Sequence, residues 1–236
     1  MTKSLYFALL LSLPVSAPAA AQTASTGAPA AVPAASTGAP AAASSSAAAA
    51  SAKPEAGPAT QAVQDLVSTA RQYADVKAPG LAPEEKRRRL AVKDRMNGIL
   101  DLHEMARLIL VKQWDKLKPA DREKYAGLLS ALVQKVGYPQ IEKYFNGKID
   151  LQYAGEKPLD GGNQEVLTKI VYKEEDLTLN TEFRLHPTDK GWRVYDVVTD
   201  GESLLLIYRN QHSGIIRDKG FPELIRLMEK KLNAAD

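Results

Sequence analysis

The sequence predicts an α+β fold, and three observations carry that prediction. Apolar residues recur at helical spacing from Gln61 to Phe145, the period falls to two between Ile149 and Thr199, and helical spacing returns after Gly201. Helices, then strands, then helices place two sets of helices against one curved antiparallel sheet of about four strands.

Each element follows from its residues. Val63, Leu66, Val67, Ala70 and Tyr73 form the stripe of a helix over Gln61–Val76, which Pro79-Gly80 ends. Pro83 opens a charged helix through Lys86-Arg87-Arg88-Arg89. This basic run suits anionic head groups or an acidic partner, or is a solvated face partly neutralised by Glu84, Glu85 and Asp94. Asp101 is placed to cap a third helix bearing Leu102, Met105, Leu108, Ile109 and Val111, with Trp114 and Leu117 following. Pro119 suits the first position of a fourth, which carries Tyr125, Leu128, Leu129, Leu132, Val133 and Val136. Gly137 and Pro139 should kink or split it before Ile141, Tyr144 and Phe145.

Four strands then read in series: Ile149–Tyr153, Val166–Tyr172, Leu177–Leu185 and Trp192–Thr199. Gly161-Gly162 and Asp189-Lys190-Gly191 supply turns. Leu177, Leu179, Thr181, Phe183 and Leu185 share one face. Ser203 suits the cap of a helix that Gly220 ends, and Phe221–Leu232 forms the last helix.

The first sixty residues differ from the rest. Lys3, the apolar run Leu5–Leu13 and the small residues Ala19-Ala20-Ala21 read as a secretory signal peptide over 1–21, cut after Ala21. Residues 22–60 hold 17 Ala, 6 Ser, 5 Pro, 4 Thr and 3 Gly, and repeat ASTGAPAA at 24–31 and 35–42. With almost no large apolar residue to offset ordering entropy, this stretch reads as a disordered spacer. The working domain is then 61–236.

Composition excludes several classes of chemistry. The chain has no cysteine, so it has no thiol nucleophile, disulfide scaffold or Cys-ligated metal site. Its 31 Lys+Arg against 28 Asp+Glu give no broad basic footprint for nucleic acid. His103, His186 and His212 have no metal-ligand spacing, and Gly201-Glu202-Ser203 lacks the second glycine of a nucleophile elbow. No catalytic residue and no metal ligand is expected. Asp196 stands out as a carboxylate in an apolar strand: it either fixes a strand end or, with a raised pKa, serves as a base.

The strand Trp192-Arg193-Val194-Tyr195-Asp196-Val197-Val198-Thr199 and its continuation Asp200-Gly201-Glu202-Ser203 resemble the W-x-V-Y-D-V-x-x-(D/E)-G-x-S signature of the toluene-tolerance, or MlaC, family. Tyr208-Arg209-Asn210-Gln211 resembles its Y-R-x-Q, and Trp114–Glu123 its W-x-x-L-(T/S)-P-x-(Q/D)-R stretch. The likeness runs in order over roughly 61–235 behind the signal peptide. Three positions depart from the family pattern. Val111 follows Leu110 where glycine is common, Glu202 precedes the signature serine where an apolar residue is usual, and Pro139 interrupts a helix. These bear on the mouth of the pocket and its cargo more than on the fold.

The resemblance implies a periplasmic phospholipid carrier, not an enzyme, with an apolar lipid pocket between sheet and helices in an NTF2-like cone. It implies no cofactor beyond a bound phospholipid as cargo. It implies partners in an outer-membrane lipoprotein–porin complex and an inner-membrane ABC transporter with an MCE-domain ring. The residues expected to meet lipid tails are Leu108, Val111, Trp114, Leu128, Leu132, Val136, Tyr144, Val171, Leu179, Phe183, Val194 and Val198, each of which also suits a plain core. Arg184, Arg193 and Arg209 could meet a phosphate at the rim, or form internal ion pairs. The signature residues are Trp192, Tyr195, Asp196, Gly201, Ser203, Tyr208, Arg209 and Gln211. Alternatives are a carrier for a hopanoid or other lipid, a small cone-shaped enzyme using Asp196 as base, and a tethered structural protein of the envelope.

Overall fold

The structure, a computed structural model, describes residues 56–75, 82–139, 149–172 and 177–235. The expected signal peptide, most of the spacer, the Pro79-Gly80 stop, Tyr144 and Phe145 lie outside the described residues.

Among the described residues, seven helices and a five-stranded antiparallel sheet follow in the expected order. They are α1 (Pro58–Asp75), α2 (Pro83–Ile99), α3 (Leu102–Leu110), α4 (Lys112–Lys116), α5 (Pro119–Leu132), β1 (Ile149–Pro158), β2 (Gln164–Tyr172), β3 (Leu177–Thr188), β4 (Gly191–Thr199), β5 (Glu202–Ser203), α6 (Leu204–Lys219) and α7 (Phe221–Ala234). The sheet order is β1-β2-β3-β4-β5, a simple meander. β5 is a two-residue addition to the four strands expected, paired through Val198–Ser203 and Thr199–Glu202. No helix of the described residues is long and apolar enough to cross a membrane.

Capping chemistry sets most helix starts where sequence placed them. Asp101 accepts from the Glu104 amide at 3.0 Å, and Ser203 Oγ accepts from the Leu206 amide at 3.1 Å. Pro83, Pro119 and Pro222 sit in first turns, where a missing N–H leaves nothing unsatisfied. Three boundaries differ. The first helix begins at Pro58, so the last residues read as spacer form its first turn, with Ala59 and Thr60 buried. Glu156 of β1 satisfies that turn, accepting from the Thr60 amide at 2.7 Å. The third helix breaks at Val111 (φ 48°), which separates α3 from α4. The stretch after Leu132 widens into a π turn over Val133–Gly137.

Two bulges shape the sheet. One lies between Tyr153 and Gly155 on β1. The other places Tyr195 as an extra residue on β4: Arg184 pairs Asp196, but Leu185 pairs Val194. An inserted residue reverses which side chains face which way, so Val194 and Val197 share one face while Asp196 and Val198 share the other.

The apolar residues sort into three packed groups. A helical group joins α3 to α7 through Ile109, Trp114, Tyr125, Leu129, Tyr208, Leu224 and Met228. A second sets Val63, Leu66 and Val67 of α1 against Val166, Phe183, Leu185 and Val194 of the sheet. A third joins Ala70 and Tyr73 of α1 to Val92 and Met96 of α2 and to Tyr138. The faces of the sheet are thus divided: α1 and α2 serve one, and α6 meets the other through β4.

Candidate functional site

The face of the sheet beneath α1 and α2 is the candidate site. Alternation along β2 and β3 turns Val166, Thr168, Ile170 and Leu179, Thr181, Phe183, Leu185 inward, all of them buried. α1 covers the half nearest the β3–β4 turn. Toward the other end Ile170 and Leu179 are buried yet lie outside the three packed groups of described residues. The helical side carries an aromatic pair, Tyr73 and Tyr138, with rings edge-on at 5.7 Å. The Arg89 guanidinium stacks 4.8 Å above the Tyr73 ring, so α2 is held to α1 by its aliphatic and aromatic surface as well as by the Arg95–Asp65 ion pair. Tyr138 donates to Asn97 Oδ1 at 2.6 Å, and burial raises its pKa, keeping the phenol neutral.

The eleven expected tail-contact residues that are described do not share one surface. Leu179, Phe183 and Val194 are on the face just described. Trp114 and Leu132, with Leu108, Leu128 and Val136 beside them, belong to the helical group, which meets the sheet through Tyr195 of β4. Val171 and Val198 point to the opposite face of the sheet, and the Val111 side chain is 45% exposed. The expected tail residues combined the sheet with α3–α5; on the inward face the sheet meets α1 and α2. The signal for this was the apolar stripe of α1. The β4 bulge, by contrast, leaves no mark in the hydrophobic pattern.

All three rim arginines have internal partners. Arg193 donates to the carbonyls of Asn97, Gly98 and Leu100 at 3.1, 3.1 and 2.6 Å, and to Asp101 Oδ2 at 3.1 Å. It thereby closes the C-terminus of α2, where unpaired carbonyls and the helix dipole favour a cation. His186 reaches the same Asp101 oxygen at 3.1 Å, and the Asp101 amide donates to Val194 O at 2.7 Å. The α2–α3 junction is therefore pinned to the β4 bulge. Arg209 donates from Nε and Nη2 to Leu108 O, closing α3 in the same manner. Arg184 lies between Glu165 (2.9 Å) and Asp196 (3.3 Å).

Asp196 is fully engaged as an acceptor. Ser203 Oγ donates to it at 2.6 Å and the Leu205 amide at 3.0 Å, with Arg184 alongside. Burial raises its pKa, while Ser203, Leu205 and Arg184 oppose that rise. Its oxygens tie β4 to the first turn of α6. The signature residues are thus a structural joint. Trp192 packs beside the α1 group, Tyr195 forms the bulge, Gly201 takes φ 83° in the turn, and Tyr208 is buried among the helices one turn before Gln211. Among the described residues no group of three or more His, Cys, Asp or Glu is arranged to hold a metal ion.

A feature that sequence reasoning did not single out as a site crosses the inward face of the sheet. Tyr153 pairs Thr168, Thr168 pairs Thr181, and Thr181 pairs Thr199, so four hydroxyl-bearing residues form one transverse row. Thr168 Oγ1 donates to Thr181 O at 2.7 Å. Thr181 Oγ1 is buried and has no hydrogen-bond partner among the described residues. The visible signal was a threonine at the centre of two apolar alternations, Val166–Ile170 and Leu179–Phe183.

An antiparallel sheet with one apolar face under a pair of helices, and a charged joint behind it, makes this an α+β domain. The chain belongs to the MlaC protein family, whose match covers residues 62–230. Among solved structures, the fold is similar to a phospholipid-binding protein from Ralstonia solanacearum determined in complex with a phospholipid. The TM-score is 0.59 at 14% identity, over 74% of this chain and 94% of that one. Comparison with curated protein sequences finds no match.

Proposed function

We propose that this protein is a periplasmic phospholipid carrier. In this reading it is the soluble component of an MCE-type ABC transport system, moves lipid between outer and inner membranes, and so maintains outer-membrane lipid asymmetry. One observation carries the reading: a MlaC-family chain presents an inward apolar sheet face, and its fold resembles that of a protein solved with a phospholipid bound. Binding or transport is favoured over catalysis, because Asp196, the carboxylate best suited to act as a base, spends its oxygens on Ser203, Leu205 and Arg184.

The physical need for such a carrier is large. A diacyl lipid buries about 30 methylenes, and at about 0.8 kcal/mol each their exposure to water costs on the order of 20 kcal/mol. Free crossing of an aqueous compartment is negligible at that cost. Transfer from bilayer to an apolar pocket is close to balanced, so no covalent step is required. The reading is tested by extracting the purified mature protein for lipid mass spectrometry and by uptake from labelled vesicles. A stoichiometric diacyl phospholipid is expected. Hopanoid or another lipid in its place would redirect the cargo assignment, and a lipid-free protein that takes up nothing would overturn the carrier itself.

A further inference from the structure

We propose that Thr181, beside its partner Thr168, supplies a polar subsite for an ester carbonyl of a bound diacyl lipid. This rests on the carrier reading and specifies which part of the cargo the sheet recognises. The two threonines are direct cross-strand partners at the middle of the inward face, each about 3% exposed. Along the strands they are preceded and followed by Val166–Phe183 and Ile170–Leu179, so both hydroxyls sit in apolar surroundings. Thr168 has already spent its proton on Thr181 O. Thr181 keeps an O–H with no acceptor. A buried hydroxyl left unpaired is destabilising, and an apolar residue of equal shape would avoid that cost. A ligand that brings an acceptor removes the penalty only when bound.

The surroundings select the acceptor. A phosphate placed between Val166, Phe183, Ile170 and Leu179 would be a buried charge without a counter-ion, since Arg184 lies on the opposite face and is paired with Glu165 and Asp196. A neutral carbonyl carries no such cost. The row also has a direction. Its edge residue Tyr153 is 37% exposed, and Arg71 of α1 is near enough for its charge to act on the phenol. The charged end of the lipid belongs at that edge, an ester at Thr181, and the tails along Ile170 and Leu179 toward Tyr73 and Tyr138. The subsite would also separate diacyl lipids from hydrocarbons that carry no ester, such as a hopanoid skeleton.

The test compares uptake, by the mature chain, of a diacyl phosphatidylglycerol and its dialkyl-ether analogue of equal chain length, each from vesicles of that lipid. The wild type is expected to favour the diester roughly tenfold, the worth of one hydrogen bond that must otherwise go unmade. Thr181→Val should abolish the preference by lowering diester uptake alone, while the lipid-free protein melts no lower than wild type. Thr181→Ser, which keeps the hydroxyl, should retain the preference. Equal uptake of both lipids by wild type overturns the subsite and leaves the carrier standing. A preference that survives Thr181→Val overturns it too. If the valine variant does not fold, a preference lost in Thr181→Ser decides against the hydroxyl. Uptake of neither lipid by wild type fails the carrier reading and the subsite with it.

Discussion

Val111 shows how one residue can act against its own backbone. It holds φ 48° between α3 and α4, a region that β-branched side chains avoid, and its side chain gains little burial in return. Val111→Gly should therefore raise stability by about 1 kcal/mol, read as a higher urea midpoint at unchanged slope; the larger backbone entropy of glycine keeps the gain from being greater. His212 makes a different prediction. Its Nδ1 is hydrogen-bonded to the Tyr125 hydroxyl at 2.7 Å, Tyr208 lies against it, and burial lowers its pKa to about 4 from 6.5. The unfolded chain then binds the extra proton first as pH falls. The stabilisation is complete above about pH 6.5 and is lost toward pH 4, on the order of 3 kcal/mol in all. His212→Gln should flatten that part of the stability–pH curve, measured by denaturant titration at pH 4.5 and 7.5.

Between residues and fold stands the joint that links β4 to α6. Ser203 caps the helix and also donates to Asp196, so one hydroxyl serves two groups. Asp196→Asn and Ser203→Ala should each cost about 1–2 kcal/mol, and the double variant should cost clearly less than their sum, because both act on the same turn. Lipid uptake by the folded variants should be unchanged; loss of a small-molecule activity in Asp196→Asn would instead restore the base role. The elements themselves were largely legible in sequence. Asp101, Pro119, Ser203 and Gly220 punctuate helices by local chemistry, and local chemistry is what a sequence displays. The candidate site was legible only in part. Leu179 and Phe183 follow from alternation, but the Tyr195 bulge reverses the faces of Val194 and Val198 without altering composition. The partnership of the sheet with α1 and α2 depends on long-range packing, and the wide apolar faces of α3 and α5 were equally good candidates until α6 and α7 were seen to cover them.

At the scale of the molecule, two cores of different kind lie side by side. The helical core of α3–α7 lies against the outward face of β4 through Tyr195, whereas α1 and α2 pack on the inward face of the sheet. Where the folded domain starts therefore matters. A chain beginning at Ala56 should match the mature protein in melting temperature. One beginning at Gln61 should melt several degrees lower, because it loses buried Ala59 and Thr60 and leaves Glu156 without the Thr60 amide. The central claim is that this surface holds a phospholipid. Native mass spectrometry of the purified mature protein, followed by lipid extraction, tests it most directly. One diacyl phospholipid per chain is the expected result. A chain that is consistently lipid-free and acquires none from phospholipid vesicles would contradict it.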